Sequence, residues 1–285
     1  MTDHRGGAHG DPGADATRWQ IMALDTGTTL LEKSMLTYTV GFGTQIRIPR
    51  VMWVLRGPTT VVVDTSVSRH GRSSEFIGEH FERSPAQEPE NALRDAGVDP
   101  KDVELVVLTH LHWDHAGNCD LFPDARIVVQ QAELRYAISP GRFFRKSFLS
   151  PESGWGSPPY LMPNLDTVDG ETLIAPGLVV VPSPGHTPGS QAVIAATSHG
   201  SFCIAGDAIS MYENIEADIP PGFHVDVDES VASMDRLRTK ADHFLPSHDY
   251  EVFTDGSPTW IGAAHAARPV PPLPYPIRPG EVGPR

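Results

Sequence analysis

Four side chains able to bind a metal ion fall within six consecutive positions of Thr109-His110-Leu111-His112-Trp113-Asp114-His115. His110 and His112 are two apart, so an extended or turning backbone can point both imidazoles to one side. Asp114 and His115 follow at once, on a loop that runs toward Ala116 and Gly117. Four such groups do not reach one ion comfortably. They can serve two neighbouring ions, with His110 and His112 on one and Asp114 and His115 on the other. Imidazole nitrogen and carboxylate oxygen suit zinc, with iron or manganese as alternatives. A His-rich surface loop is the plain competing explanation. The apolar run Val103 to Leu108 argues against it, because it delivers the cluster to a strand end, a usual place for site residues.

Two ions need further ligands, and three more residues stand in matching contexts. His186 lies in Pro184-Gly185-His186-Thr187-Pro188-Gly189, after a run ending at Val181. Asp207 follows Gly206 directly after Phe202 to Ala205, and His248 lies in Pro246-Ser247-His248-Asp249 after Phe244 and Leu245. Singly, a loop His is more often solvated and an Asp after a strand is more often a turn former. Three of them at three strand ends, added to the first cluster, make a constellation.

The elements that must carry these residues are legible as short β-branched runs broken by Gly and Pro. Val51 to Leu55 and Thr59 to Asp64 read as strands around the turn Arg56-Gly57-Pro58. Pro89 to Ala96 reads as a helix stopped at Gly97, and Val103 to Leu108 and Ile127 to Val129 as strands. A helix is expected from Ala132 to Ala137, and a Pro- and Gly-rich loop from Ser150 to Pro163. Strands recur at Leu178 to Val181, Ala192 to Ala195 and Phe202 to Ala205. Asp228 to Ala241 reads as an amphipathic helix with Val231, Met234 and Leu237 at helical spacing. Strands and helices mixed in this order predict a layered α/β (α+β) architecture.

Three zones are expected along the chain: a flexible N-terminal arm over 1–18, one domain over 19–267, and an extended Pro-rich tail over 268–285. The tail could embrace a second copy, so a homodimer is among the expectations. A formal net charge of −14 argues against nucleic acid as a partner, since phosphate contacts need surplus Lys and Arg. No apolar run is long enough to cross a bilayer, and the polar first residues do not read as a secretory signal. Cys119 and Cys203 form no CxxC pair, so a cytoplasmic protein without disulfides is expected.

The order HxHxDH, a loop His, Gly-Asp and a late Ser-His resembles the metallo-β-lactamase superfamily over roughly Ile21 to Phe253. The resemblance implies an αββα sandwich with a binuclear site at one edge of two sheets. It implies that His110, His112 and His186 hold the first metal, that Asp114, His115 and His248 hold the second, and that Asp207 bridges them. Asp64, at the end of Val61-Val62-Val63-Asp64, matches the family's early strand-end Asp that supports the site. Within the superfamily the chain is similar to the N-acyl homoserine lactonases, through HLHWDHAGN (His110 to Asn118), IVVQQAE (Ile127 to Glu133), PGHTPGSQ around His186 and PSHD (Pro246 to Asp249). Those enzymes carry a Tyr three residues after the bridging Asp, against the substrate carbonyl. Here that position is Ser210, and Tyr212 is the candidate substitute for stabilising an oxyanion.

The chemistry so implied is hydrolysis of a small lactone or related ester. Water bound by such ions loses its proton near neutral pH, and the hydroxide attacks a carbonyl carbon. Asp114 is the candidate to pass a proton toward the leaving oxygen. Met22, Met35, Met52, Trp53, Phe143, Phe144, Phe148, Trp155 and Met211 are candidates for an apolar pocket, and His224 for orienting substrate. A thioesterase of the glyoxalase type would use the same ligands but adds a helical C-terminal domain where this chain is Pro-rich. A persulfide dioxygenase would keep the cluster with a single iron.

Overall fold

The computed structural model describes residues 18–69, 80–149 and 157–271. All but Arg18 of the expected arm, part of the Ser150 to Pro163 loop with Trp155, and most of the expected tail lie outside the described residues.

The chain runs β1 (Gln20–Glu32), β2 (Gln45–Arg56), β3 (Thr60–Val63), β4 (His80–Glu82), α1 (Pro89–Asp95), β5 (Leu105–Val107), β6 (Arg126–Gln130), α2 (Gln131–Ile138) and β7 (Leu165–Val168). It continues through β8 (Thr172–Ala175), β9 (Leu178–Pro182), β10 (Gln191–Thr197), β11 (Gly200–Ile204), α3 (Tyr212–Glu216), α4 (Val227–Arg238), β12 (His243–Leu245), β13 (Thr259–Trp260) and α5 (Ala263–Ala266). Among the described residues, one sheet has the order β13-β1-β2-β3-β5-β6-β7 with β4 paired to β1, and the other β12-β11-β10-β9-β8.

The strands read as continuous apolar runs because both of their faces are buried. In β2, Val51, Trp53 and Leu55 face one cluster and Met52 and Val54 another. The same period of two sends Val61 and Val63 inward from β3 and Val62 outward. From the second sheet, Leu178, Val180, Val193, Phe202 and Ile204 join the inner cluster, while Val181, Ala192 and Cys203 face out. Leu93 of α1 covers the outside of the first sheet, and Met234 and Leu237 of α4 cover the outside of the second. The result is the four-layered αββα sandwich, a single domain, that the resemblance implied. Val231, expected on the same apolar stripe of α4, is exposed instead.

Strand direction decides where the site forms. β3, β5, β6 and β7 run parallel, so their C-terminal ends share one edge of the first sheet. β9 and β11 are both antiparallel to β10, and β12 is parallel to β11, so β9, β11 and β12 also run one way. Every loop carrying a candidate ligand leaves one of these C-terminal ends.

β1 was not expected. The chain stays in the sheet past Gly27, at φ +140°, through a register shift between Asp25 and Thr28. Arg268, expected to begin the tail, is fastened to the domain: its guanidinium lies 3.5 Å from the Tyr212 ring centroid and 2.7 Å from Glu216. No helix among the described residues is long and apolar enough to cross a membrane.

Candidate metal centre

The seven expected ligands meet at the shared edge of the two sheets. All are buried. Their donor atoms form three groups, His110 with His112 and His186, Asp114 with His115 and His248, and His110 with His115 and Asp207; within each, the atoms lie within 4.8 Å of one another. Asp207 stands between the other two groups. Its Oδ2 is 3.3 Å from His186 Nε2, and its Oδ1 is 3.3 Å from His115 Nε2 and 3.1 Å from His248 Nε2.

Ring orientation is set from behind. His186 Nδ1 donates to the Phe223 carbonyl at 2.7 Å, His248 Nδ1 to the Pro49 carbonyl at 3.2 Å, and His115 Nδ1 to Asp64 Oδ2 at 2.7 Å. Each bond leaves the Nε2 lone pair facing the centre. Asp64 also accepts from Thr109 N and Thr109 Oγ1, at 2.7 and 2.8 Å, so one carboxylate holds both the loop after β5 and His115.

These donors fit metal ions. His110 Nε2 and His115 Nε2 are buried with no hydrogen-bond partner, an arrangement that costs free energy unless a cation is bound. His186 Nε2 and His112 Nδ1 face each other at 2.9 Å, two ring nitrogens that one cation would satisfy together. Burial holds His110 and His112 well below the usual imidazole range, leaving them neutral. Burial alone would raise Asp114 and Asp207. The Arg50 guanidinium and the neighbouring His115 on Asp114, and the neighbouring imidazoles on Asp207, outweigh it and hold both carboxyls well below the usual carboxylate range.

Two buried residues of this region were missed from sequence. Glu133, on α2, takes the Leu111 N–H at 2.9 Å on Oε1, and the Thr187 hydroxyl at 2.6 Å and the Gly189 N–H at 3.1 Å on Oε2. One carboxylate thus clips together the loops that carry His110, His112 and His186. The approach is close: a Cβ on Gly189 would lie 1.9 Å from Glu133 N, so glycine is required there. Burial pushes the Glu133 carboxyl up to about 7 against the pull of those three bonds. Arg50, on β2, donates to Asp114 Oδ2, and its Nη1 lies 3.4 Å from His248 Nε2. Its Nε donates to Thr29 Oγ1 at 2.8 Å, and its guanidinium lies 5.0 Å from the Trp113 ring centroid.

Beside the ligands opens a cavity of about 470 Å³. His112, Asp114, His186, Asp207, His248 and Arg50 form its polar end; Leu31, Met35, Leu36, Phe143 and Phe223 give it an apolar wall. Of the expected apolar lining, Met35 and Phe143 reach it. Met22, Met52, Trp53 and Phe148 are core residues, Phe144 packs against the outer core, and Met211 packs on Leu31, Leu36 and Ile48. Trp113 lines the cavity while most of its surface is buried. His224 does not line it; Nδ1 donates to the Pro221 carbonyl at 2.8 Å, and the neighbouring Phe223 faces the cavity instead.

Tyr212 requires a correction. Ser210 lines the cavity, but α3 begins at Tyr212 and turns its ring into the core between the sheets, under Arg268. The phenol therefore does not take the place of the Tyr absent at Ser210.

Known proteins resemble this chain in sequence and fold. Over 153 residues, 35% are identical to the N-acyl homoserine lactonase AttM of Azorhizobium caulinodans, a match covering 51% of this chain and 56% of that protein. This chain thus spans little more than half the length of that relative. Over 232 residues, 28% are identical to an N-acyl homoserine lactonase of Bacillus thuringiensis, covering 77% of this chain and 87% of that one. A solved N-acyl homoserine lactone hydrolase, with the product N-hexanoyl-L-homoserine at its catalytic metal centre, shares the fold at a TM-score of 0.70 and 23% identity, covering 82% of this chain and 94% of that one. The family model for the metallo-beta-lactamase superfamily matches residues 48–248, from β2 to the last candidate ligand. With that match over most of its length and a His and Asp centre at the edge of an αββα sandwich, the chain belongs to the metallo-β-lactamase superfamily.

Proposed function

We propose that this protein is a binuclear zinc hydrolase that opens the ester bond of a small lactone of the N-acyl homoserine lactone kind. The observation that carries this reading is the joining of seven buried ligand side chains to a cavity whose far wall is apolar. His110, His112 and His186 would hold one ion, Asp114, His115 and His248 the other, and Asp207 would touch both. When bound, such a pair supplies hydroxide near neutral pH and polarises a carbonyl.

The chain's own residues do the rest. Asp114 is held ionised at the cavity wall, where it can accept a proton and hand it to the alkoxide that leaves when the ring opens. Leu31, Met35, Leu36, Phe143 and Phe223 give an acyl chain an apolar surface and keep water from the ring. A ring carbonyl placed among the ligands would receive no phenol, since Tyr212 lies elsewhere.

The test is ring opening by purified, zinc-loaded protein of lactones with acyl chains of graded length. Turnover that improves as the chain lengthens to fill the apolar wall is expected. Failure on every lactone, with turnover of a thioester or a β-lactam, would refute the lactone reading. One iron per chain would favour the dioxygenase alternative.

A further inference from the structure

The two outer ligand groups differ in one respect that the resemblance does not supply. A cation already sits on one of them. Arg50 donates to Asp114 Oδ2, the same oxygen that lies 3.4 Å from His115 Nε2 and 3.7 Å from His248 Nε2. Its Nη1 is also 3.4 Å from His248 Nε2, the nitrogen whose lone pair faces the centre. Arg50 thus lies against two of the three donors of the group Asp114, His115 and His248. The first group, His110, His112 and His186, carries no such neighbour among the contacts described.

We propose that Arg50 is a resident cation of the second group and makes the two ion positions unequal. An ion on His110, His112 and His186 replaces only the contact between His186 Nε2 and His112 Nδ1 and meets no guanidinium. An ion on Asp114, His115 and His248 must draw Asp114 and His248 away from the guanidinium, and then has a like charge as its neighbour. Arg50 is only 4% exposed, so solvent screens that repulsion weakly. The side chain has somewhere to go: it lines the cavity, where a long rotameric chain can swing. It is also guided, because the Thr29 hydroxyl on Nε and the Trp113 ring hold it beside the site when it is not displaced.

This inference rests on the binuclear reading but not on the substrate. Metal-free full-length protein is titrated with zinc against a competing chelator, and bound metal is counted at each step. For the wild type, two steps are expected, the second at least about tenfold weaker than the first. In Arg50→Met the second step should tighten by about tenfold or more, with the first unchanged within about threefold. Arg50→Lys keeps the charge and should keep most of the inequality. Two equal steps in the wild type overturn the proposal without recourse to any variant. So does a second step that weakens in Arg50→Met, which would make Arg50 an orienting partner of Asp114. An unchanged first step and melting temperature verify that the variant is folded. Protein that shows the unequal steps but opens no lactone leaves this inference standing and removes the functional reading alone.

Discussion

The two outer ligand groups are built from opposite materials. The group His110, His112 and His186 is all imidazole and is braced from the loops around it: the Thr109 hydroxyl 3.1 Å from His110 Nδ1, the Phe223 carbonyl behind His186, and the Glu133 carboxyl that clips its two loops together. The group Asp114, His115 and His248 is wired into charge, with Asp64 behind His115 and Arg50 against Asp114. The first is held in shape by backbone geometry, whereas the second is held by ion pairs whose partners compete. Disturbing a brace of the first group should therefore cost stability. Disturbing the second should change ion binding and chemistry before it changes the fold.

The largest test removes what the groups share. Asp207→Ala takes one carboxylate oxygen from each side and should abolish ring opening and halve the bound metal, measured by elemental analysis per chain. Retained activity would refute the bridging role.

Next comes the clip. Glu133→Ala leaves the Leu111 and Gly189 N–H groups and the Thr187 hydroxyl without their acceptor, and should cost about 3–5 kcal/mol in denaturant unfolding. Glu133→Gln should cost less, since one amide oxygen can still serve Thr187 and Gly189 while its NH2 opposes the Leu111 N–H. It also removes an ionisation. The Glu133 carboxyl is raised to about 7 from an ordinary 4.5, so the folded state disfavours its charge. The wild type should accordingly lose stability relative to Glu133→Gln as pH rises from about 4.5 to about 7, and no further above that. A difference in melting temperature that stays flat over that window would contradict this.

The smallest effect is expected at Tyr212. Its ring lies between the sheets and not at the cavity, so Tyr212→Phe should change kcat by less than about twofold. A loss of tenfold or more would return Tyr212 to the chemistry.

The candidate ligands that the fold brings together were readable because each is announced locally. His110 through His115 are consecutive with an apolar run before them, and His186, Asp207 and His248 each sit in a short Gly- or Ser-containing turn after a strand. The strands β2, β3 and β9 to β11 were readable as apolar runs, whereas their inner and outer faces emerge only from the packing of the two sheets. Arg50 was not. It is one of the three arginines Arg47, Arg50 and Arg56, and only pairing of β2 with β1 and β3 carries this one to Asp114. Glu133 looked like an ordinary helix residue, because its partners are 22 to 56 positions away in sequence. Tyr212 misled by closeness in sequence: two residues past Ser210 the chain has already turned into α3.

The ligand loops do not come from one sheet. Those of His110 to His115 leave β5 in the first, and those of His186, Asp207 and His248 leave β9, β11 and β12 in the second. An ion gripped from both sides is a rivet through the open edge of the sandwich. Held by Asp114 and His248, it would join residues 134 positions apart along the chain and would bind only when both halves are assembled. Chelation would withdraw that rivet, so loss of the ions would reach proteolysis and thermal lifetime as well as turnover.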